Sequence, residues 1–299
     1  MTNEIVGDTV LDHDAIRIGR FFSVNFQRTL RLPDDGRDYP LPPGLGRFPL
    51  RRVSDFAERV PREWSDDGGC LLPMHRYEAM WLSVSGPYWH PVAVRVDVGG
   101  VCALTGGTQV SKLSADPQNY MVVPEQPWLD GIKAGEGIIR QFVAAPLGGG
   151  VTIEGQVTGR EEVGGLRITV VQPRAGRFPE EPPREARYGR EDDGLCAAMV
   201  CEAAAPLGLG AGGRMVQKIY PDSYGLETWD ETTATTAVIH LVDASDWRSI
   251  TDEDPPPSPI SVEEYRAYGL PWFALADQDK PDLPVSPILA GIKPLSSGP

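Results

Sequence analysis

The chain is poor in the residues on which recognisable chemistry is usually built. It has four cysteines (Cys70, Cys102, Cys196, Cys201) with no Cys-x-x-Cys pair, so neither a disulfide framework nor a cysteine zinc knuckle is expected in a chain of 299 residues. Cys102 falls in a strand pattern, where a small buried hydrophobe is the expected role. Histidine is as scarce, at four. Gly-x-Ser-x-Gly is absent, and no Lys-Ser/Thr follows the glycine-rich Pro206–Arg214 segment, which excludes a nucleophile elbow and a Walker loop. Basic residues are few: 28 against 42 acidic ones, a net charge of -14. That balance argues against nucleic acid and anionic membrane surfaces as partners, since both require a clustered basic face.

Long hydrophobic runs are missing too. The least charged stretch, Leu195 to Gly213, carries Glu202 and Pro206 and is too polar to span a bilayer. Met1–Asp8 has neither a basic nor an apolar leader segment, so a soluble, cytoplasmic protein is expected.

What the chain does have is strand signal. Val92, Val94, Val96 and Val98 alternate with Ala93, Arg95 and Asp97, and Gly99-Gly100 supplies the positive φ of a tight hairpin before Val101-Cys-Ala-Leu returns. Phe22, Val24, Phe26, Leu30 and Leu32 mark an earlier strand that Pro33-Asp-Asp-Gly closes. A second hairpin is expected from Ile139 to Val157, turning at Leu147-Gly-Gly-Gly, with Glu154 and Gln156 on the polar face of its second strand. Further strands are expected at Leu166–Val171, Met215–Tyr220 and Thr235–Val242.

Between these runs, Tyr39 to Pro49 is too rich in proline and glycine for regular structure and should lie as a strap over the sheet or stay mobile. A short helix within Val53–Trp64 should stop before Pro61. Ser261-Val-Glu-Glu264 matches a capping box. An Ala-rich helix at Leu195–Ala205 followed by a flexible glycine connection is expected to lead into the next strand.

The fold class is therefore mainly β: an antiparallel β-sandwich or barrel-like set of sheets with a few short helices. Residues 174–193, dense in proline and in charge of both signs, read as a linker or mobile loop. It divides a β-rich domain at 1–173 from a smaller β-rich segment with short helices at 194–299, packed on the first.

Several strings, among them Asn119-Tyr-Met-Val-Val-Pro, Gln126-Pro-Trp-Leu-Asp-Gly-Ile, Arg140-Gln-Phe-Val-Ala-Ala-Pro-Leu-Gly and Gly269-Leu-Pro-Trp-Phe, resemble a family of uncharacterised bacterial and fungal proteins. Some fungal members carry ubiquitin-like sequence alongside. The resemblance spans most of the chain from about Met74 and implies a shared fold and surface, but no activity and no catalytic residue.

Two residue sets are candidate sites. His75 and Glu78 stand three apart and His90 follows within the same stretch, a His/His/carboxylate set of the kind that holds zinc or non-haem iron. Opposite strand parity of His75 and Glu78 weighs against it, and plain polar groups at a strand edge are the simpler reading. The second set is Trp128, Asp130, Arg140, Gln141, Glu154 and Gln156, with Gln126. In the expected hairpin Arg140 would face Glu154 or Gln156 at about 5 Å across the ladder. Asp130 and Glu154 stand out as carboxylates in apolar settings, suited to acid–base work, whereas His240 reads as a satisfied sheet histidine.

The second set reads as a polar recognition surface, set against an ordinary solvated sheet face. The expected function is thus a binding or assembly protein, with a small polar ligand or a protein as partner, no resident cofactor, and homo-oligomer formation among the outcomes. The alternative is a metal-assisted hydrolase or oxygenase using zinc or iron.

Overall fold

The computed structural model describes residues 4–6, 9–108, 112–182, 206–269, 272–273 and 279–295. Eleven strands carry the architecture: β1 (Ala15–Ile18), β2 (Phe22–Thr29), β3 (Cys70–Met74), β4 (Ala79–Ser85), β5 (Val92–Val98), β6 (Trp128–Leu129), β7 (Gly131–Gly135), β8 (Ile138–Pro146), β9 (Leu166–Val171), β10 (Pro206–Val216) and β11 (Thr235–Asp243). They form one large, mainly antiparallel sheet that does not close into a barrel. The order runs β1–β2–β4–β8–β10–β11–β9–β5, with β3 lying parallel to β11. Among the described residues five short helices decorate it, and none of them is long and apolar enough to cross a membrane.

The alternating runs fold as their period demands. On β2, Phe22, Val24 and Phe26 point into the main core while the residues between them are half-buried. Gly99 and Gly100 adopt positive φ and close the β5 hairpin, pairing Val98 with Val101. Both faces of β5 are covered, however, because the segment around Leu113 and Tyr120, together with Trp229, packs on the second face. Arg95 and Asp97 on that face are consequently buried, joined by Arg95 Nη2 donating to Asp97 Oδ1 at 2.8 Å. Cys102 is buried in the main core, as its pattern implies.

Several expectations are overturned; among them, Gly44–Arg47, expected to be irregular, is a short strand paired with β2, and the strand foreseen at Met215–Tyr220 ends at Val216. Three more concern helices and a central strand. Residues 151–157 are not a strand: Ile153–Thr158 is a helix, α2 in chain order after α1 (Arg62–Asp67). Thr152 caps it by accepting the Gly155 N–H, and Gly159 ends it in the left-handed conformation. The apolar pair Ile153 and Val157, four residues apart, fits a helical face as well as a strand face, and the capping residue decides between them.

Second, the helix foreseen before Pro61 starts at it; Val53–Phe56 is only a 3₁₀ turn. Proline's fixed φ and missing N–H suit a helix beginning.

The third correction is larger. Pro206–Arg214, read as a flexible connection, belongs to β10, paired along its length with β8. A methyl group on Gly210 would meet Leu295 at 2.5 Å, and one on Gly213 the Pro33 carbonyl at 2.6 Å. The glycines admit close neighbours on a central strand, a tertiary demand that outweighs their poor strand propensity. The Ala-rich stretch 195–205 lies outside the described residues.

The division foreseen at 174–193 does not separate two sheets, since β10 and β11 interleave with β8 and β9. Its first residues are tied down, with Arg174 N–H donating to the Thr228 carbonyl at 2.9 Å; 183–193 lie outside the described residues. The capping box forms with both arms, Ser261 to the Glu264 N–H and Glu264 back to Ser261.

Candidate functional site

Trp128 and Leu129 form the two-residue strand β6 against Ser83 and Leu82 of β4. Two fully buried glutamines hold this stretch by its backbone. Gln217 accepts the Asp130 N–H at 3.1 Å and donates to the Trp128 carbonyl at 3.2 Å. Gln126 donates to the same carbonyl at 3.1 Å and accepts the Tyr220 N–H. A proline-rich strap passes over the adjoining face of the sheet, anchored where Thr29 Oγ1 donates to the Pro43 carbonyl and where Leu41 and Phe273 exchange backbone hydrogen bonds.

Strap and sheet form the sides of an open cavity of about 260 Å³ lined by Leu41, Pro42, Pro43, Gly44, Trp81, Trp128, Asp130 and Phe273. Its wall is aromatic and aliphatic, with one ionisable side chain.

That side chain is Asp130, only 5% exposed. Burial pushes its carboxyl up to about 7, opposed only by a hydrogen bond from the Trp128 side chain. Its Oδ2 atom is buried with no partner, and so is the indole Nε1 of Trp81. Two residues that line one cavity thus carry an unused acceptor and an unused donor, each buried behind its wall. Each such group costs about 1–3 kcal/mol of folding stability relative to a satisfied one, which makes it an exception that calls for a cause.

The rest of the expected polar cluster is dispersed. Arg140 reaches Asp34 Oδ1 at 2.8 Å and the Gly212 carbonyl, because β8 pairs with β10 and not with residues 151–157. The expected ladder contact of Arg140 with Glu154 or Gln156 is therefore not formed. Gln141 is buried on the backbone of Leu30 and Leu32. Glu154, also buried, accepts the N–H groups of Glu162, Val163 and Gly164 and shapes that loop. Gln156 bonds both the N–H and the carbonyl of Lys293, fastening the C-terminal segment. Of the six residues, the structure brings together Trp128 and Asp130.

The expected metal set does not converge. Glu78 lies in a buried ion pair with Arg28 at 2.5 Å and also accepts the His75 N–H. The His75 ring contacts the Pro256 carbonyl at 2.9 Å. His90 contacts the Pro179 carbonyl at 2.8 Å and stacks on Phe21. Among the described residues no three His, Cys, Asp or Glu side chains form a metal-holding group. His240 contacts the Gly68 carbonyl and stacks on Trp64, the satisfied sheet histidine its setting implied.

A wider groove of about 590 Å³ opens beside His90 and is lined by polar groups such as Arg20, Arg174 and Asp230. These already have partners: Arg20 pairs with Glu181, Arg174 bonds the Glu227 carbonyl, and Asp230 caps the turn at Thr232. Gln172, also on the groove's lining, leaves its Oε1 buried without a partner, whereas the residues lining the smaller cavity carry both an unused acceptor and an unused donor.

Trp81, the strap and Phe273 were not singled out for this site, because they reach it from segments remote in sequence. The available hint was the strap's proline content combined with tryptophans on both flanking strands. Comparison with known proteins returns no match: no family model, no curated protein and no solved structure aligns significantly with this chain.

Proposed function

We propose that this protein binds a small organic ligand, apolar in body and bearing one polar group, in the cavity between the 41–44 strap and the β4–β6 sheet surface. The observation that carries this reading is that two residues lining one aromatic-walled cavity carry an unsatisfied acceptor, Asp130 Oδ2, and an unsatisfied donor, Trp81 Nε1, just behind its wall. A pocket of mostly apolar lining with a few convergent polar groups is the general form of a ligand site. At about 260 Å³ this one suits a ligand of about ten non-hydrogen atoms, taking roughly 30 Å³ for each water-sized group. In this reading the recognition surface foreseen on the sheet face becomes a solvent-open hollow under the strap, with Trp128 and Asp130 retained.

The reading is tested by a fragment screen followed through the indole N–H resonances of ¹⁵N-labelled protein, assigned with Trp81→Phe and Trp128→Phe variants. Binders that shift those two resonances support it. A screen whose hits all leave them unmoved sinks it.

A further inference from the structure

The polar inventory of the interior narrows the class of ligand. The described residues include several deeply buried charged groups, and the rest are provided for within the protein. Glu78 faces Arg28, Asp97 faces Arg95, and Asp282 faces Lys133, whose side chain is wholly buried. Asp243 has Arg76 and the N–H of Ser245, and Glu154 has three backbone N–H groups.

Among the described residues Asp130 has the Trp128 indole alone, and no charged group contributes to its ionisation. The described side chains facing it from the surrounding elements are uncharged: Trp81 of β4, Trp128 of β6, the strap residues and Phe273. Gln217, beyond β10, approaches through the Asp130 backbone.

We infer that the ligand is a protonated amine, its ammonium N–H donating to Asp130 Oδ2 and its hydrocarbon body lying against Trp81, Trp128, Leu41 and Pro43. This rests on the ligand-binding reading above and names the ligand class. Three physical points select a cation. Ring faces present negative quadrupole density, which attracts a cation and repels an anion. A carboxylate ligand would set an acceptor against the Asp130 acceptor. A neutral alcohol could hydrogen-bond Oδ2 but would leave an ionised carboxylate buried with neither a counter-charge nor a set of backbone N–H donors like that around Glu154, an arrangement that every other buried carboxylate named above avoids. Trp81 Nε1–H is left to donate to an acceptor atom on the ligand.

Binding of this kind requires Asp130 as the carboxylate. Because its carboxyl is poised at about 7, the dissociation constant should weaken about tenfold for each pH unit below that value and level off above it.

The test uses three probes of one shape: benzylamine, benzyl alcohol and benzoate. Each is titrated into the full-length protein at pH 5.5, 6.5 and 7.5, with the Trp81 and Trp128 indole resonances as the readout. The expected result is that benzylamine binds tightest, with about a tenfold gain from pH 5.5 to 6.5, and that Asp130→Asn abolishes its advantage over benzyl alcohol. If benzyl alcohol or benzoate shifts the two indoles at equal or lower concentration, or if benzylamine binding ignores pH, the cation assignment is overturned while the cavity remains a ligand site. If none of the three moves the indoles and the broader fragment screen also leaves them unmoved, the cavity reading fails and this inference falls with it.

Discussion

Asp282 and Asp130 are both carboxylates held in the interior, yet the protein treats them oppositely. Asp282 meets the wholly buried ammonium of Lys133 and also accepts the N–H groups of Gly137 and Ile219, so it anchors the C-terminal segment across β7. Asp130 sits among tryptophans and a proline strap with an oxygen unpartnered. Burial of a charge therefore does not by itself mark a functional site in this fold. Burial without a partner leaves a cost standing in the folded protein, and in Asp130 that cost falls on a carboxylate beside a cavity.

The sharpest way to break the contrast is to strip Asp282 of its cation. Lys133→Met should destabilise the protein by about 3–5 kcal/mol, the usual consequence of leaving a buried charge uncompensated, measured by urea unfolding. A loss below about 1 kcal/mol would mean that water replaces the ammonium and that the two sites differ less than their geometry indicates.

Next in size is the converse change, Asp130→Asn. The folded-state pKa of Asp130 is raised to about 7, so the folded protein holds the proton more tightly than the unfolded chain. Its cost is absent below the unfolded carboxylate pKa and grows as pH rises towards about 7. The variant should therefore gain on the wild type by about 2.5 kcal/mol between pH 5 and pH 8, read as the difference in unfolding free energy at each pH. A difference that is flat with pH would show that Asp130 is ionised at low cost.

A finer probe is Trp128→Phe, which keeps most of the aromatic wall but deletes the hydrogen bond that favours the ionised form. Its expected effect is a further rise of the Asp130 pKa, followed by carboxyl ¹³C chemical shift, with a stability change of about 1 kcal/mol. A fall in that pKa would refute the assigned role of the indole. Smallest of all should be Arg140→Ala. The Asp34–Arg140 pair is partly solvated and such pairs are worth about 0–1 kcal/mol, so stability should barely move and benzylamine binding should be unchanged. A lost binding response would restore Arg140 to the site.

Much of the fold could be read along the chain wherever the signal was local. The Val92–Val98 alternation with Gly99-Gly100, the period of Phe22, Val24 and Phe26, and the Ser261/Glu264 capping box all act between near neighbours, and each stands in the structure as read. Where one pattern serves two periods, reading failed. Ile153 and Val157 are as good a helix stripe as a strand face, and the choice rested on Thr152 capping and the left-handed Gly159. Pro206–Arg214 failed for another reason: its glycines are explained only by what presses on them, Leu295 and the Pro33 carbonyl, more than 80 residues away along the chain in each case.

The site divides the same way. Trp128 and Asp130 could be singled out as a tryptophan and a carboxylate in an apolar stretch, and their deep setting follows from the neighbouring strand pattern. That Arg140, Gln141, Glu154 and Gln156 lie elsewhere depends on which strand pairs with β8, a long-range choice made by β10. The amino-acid sequence by itself determined a mainly β chain with its hairpins, its caps and a lone acid in an apolar run, because backbone preference and hydrophobic period operate over a few residues. Tertiary structure alone decided that this acid would meet no counter-charge among the described residues and would share a cavity with Trp81, the 41–44 strap and Phe273. Charge compensation is a property of three-dimensional neighbours, and the chain order of those neighbours does not encode it.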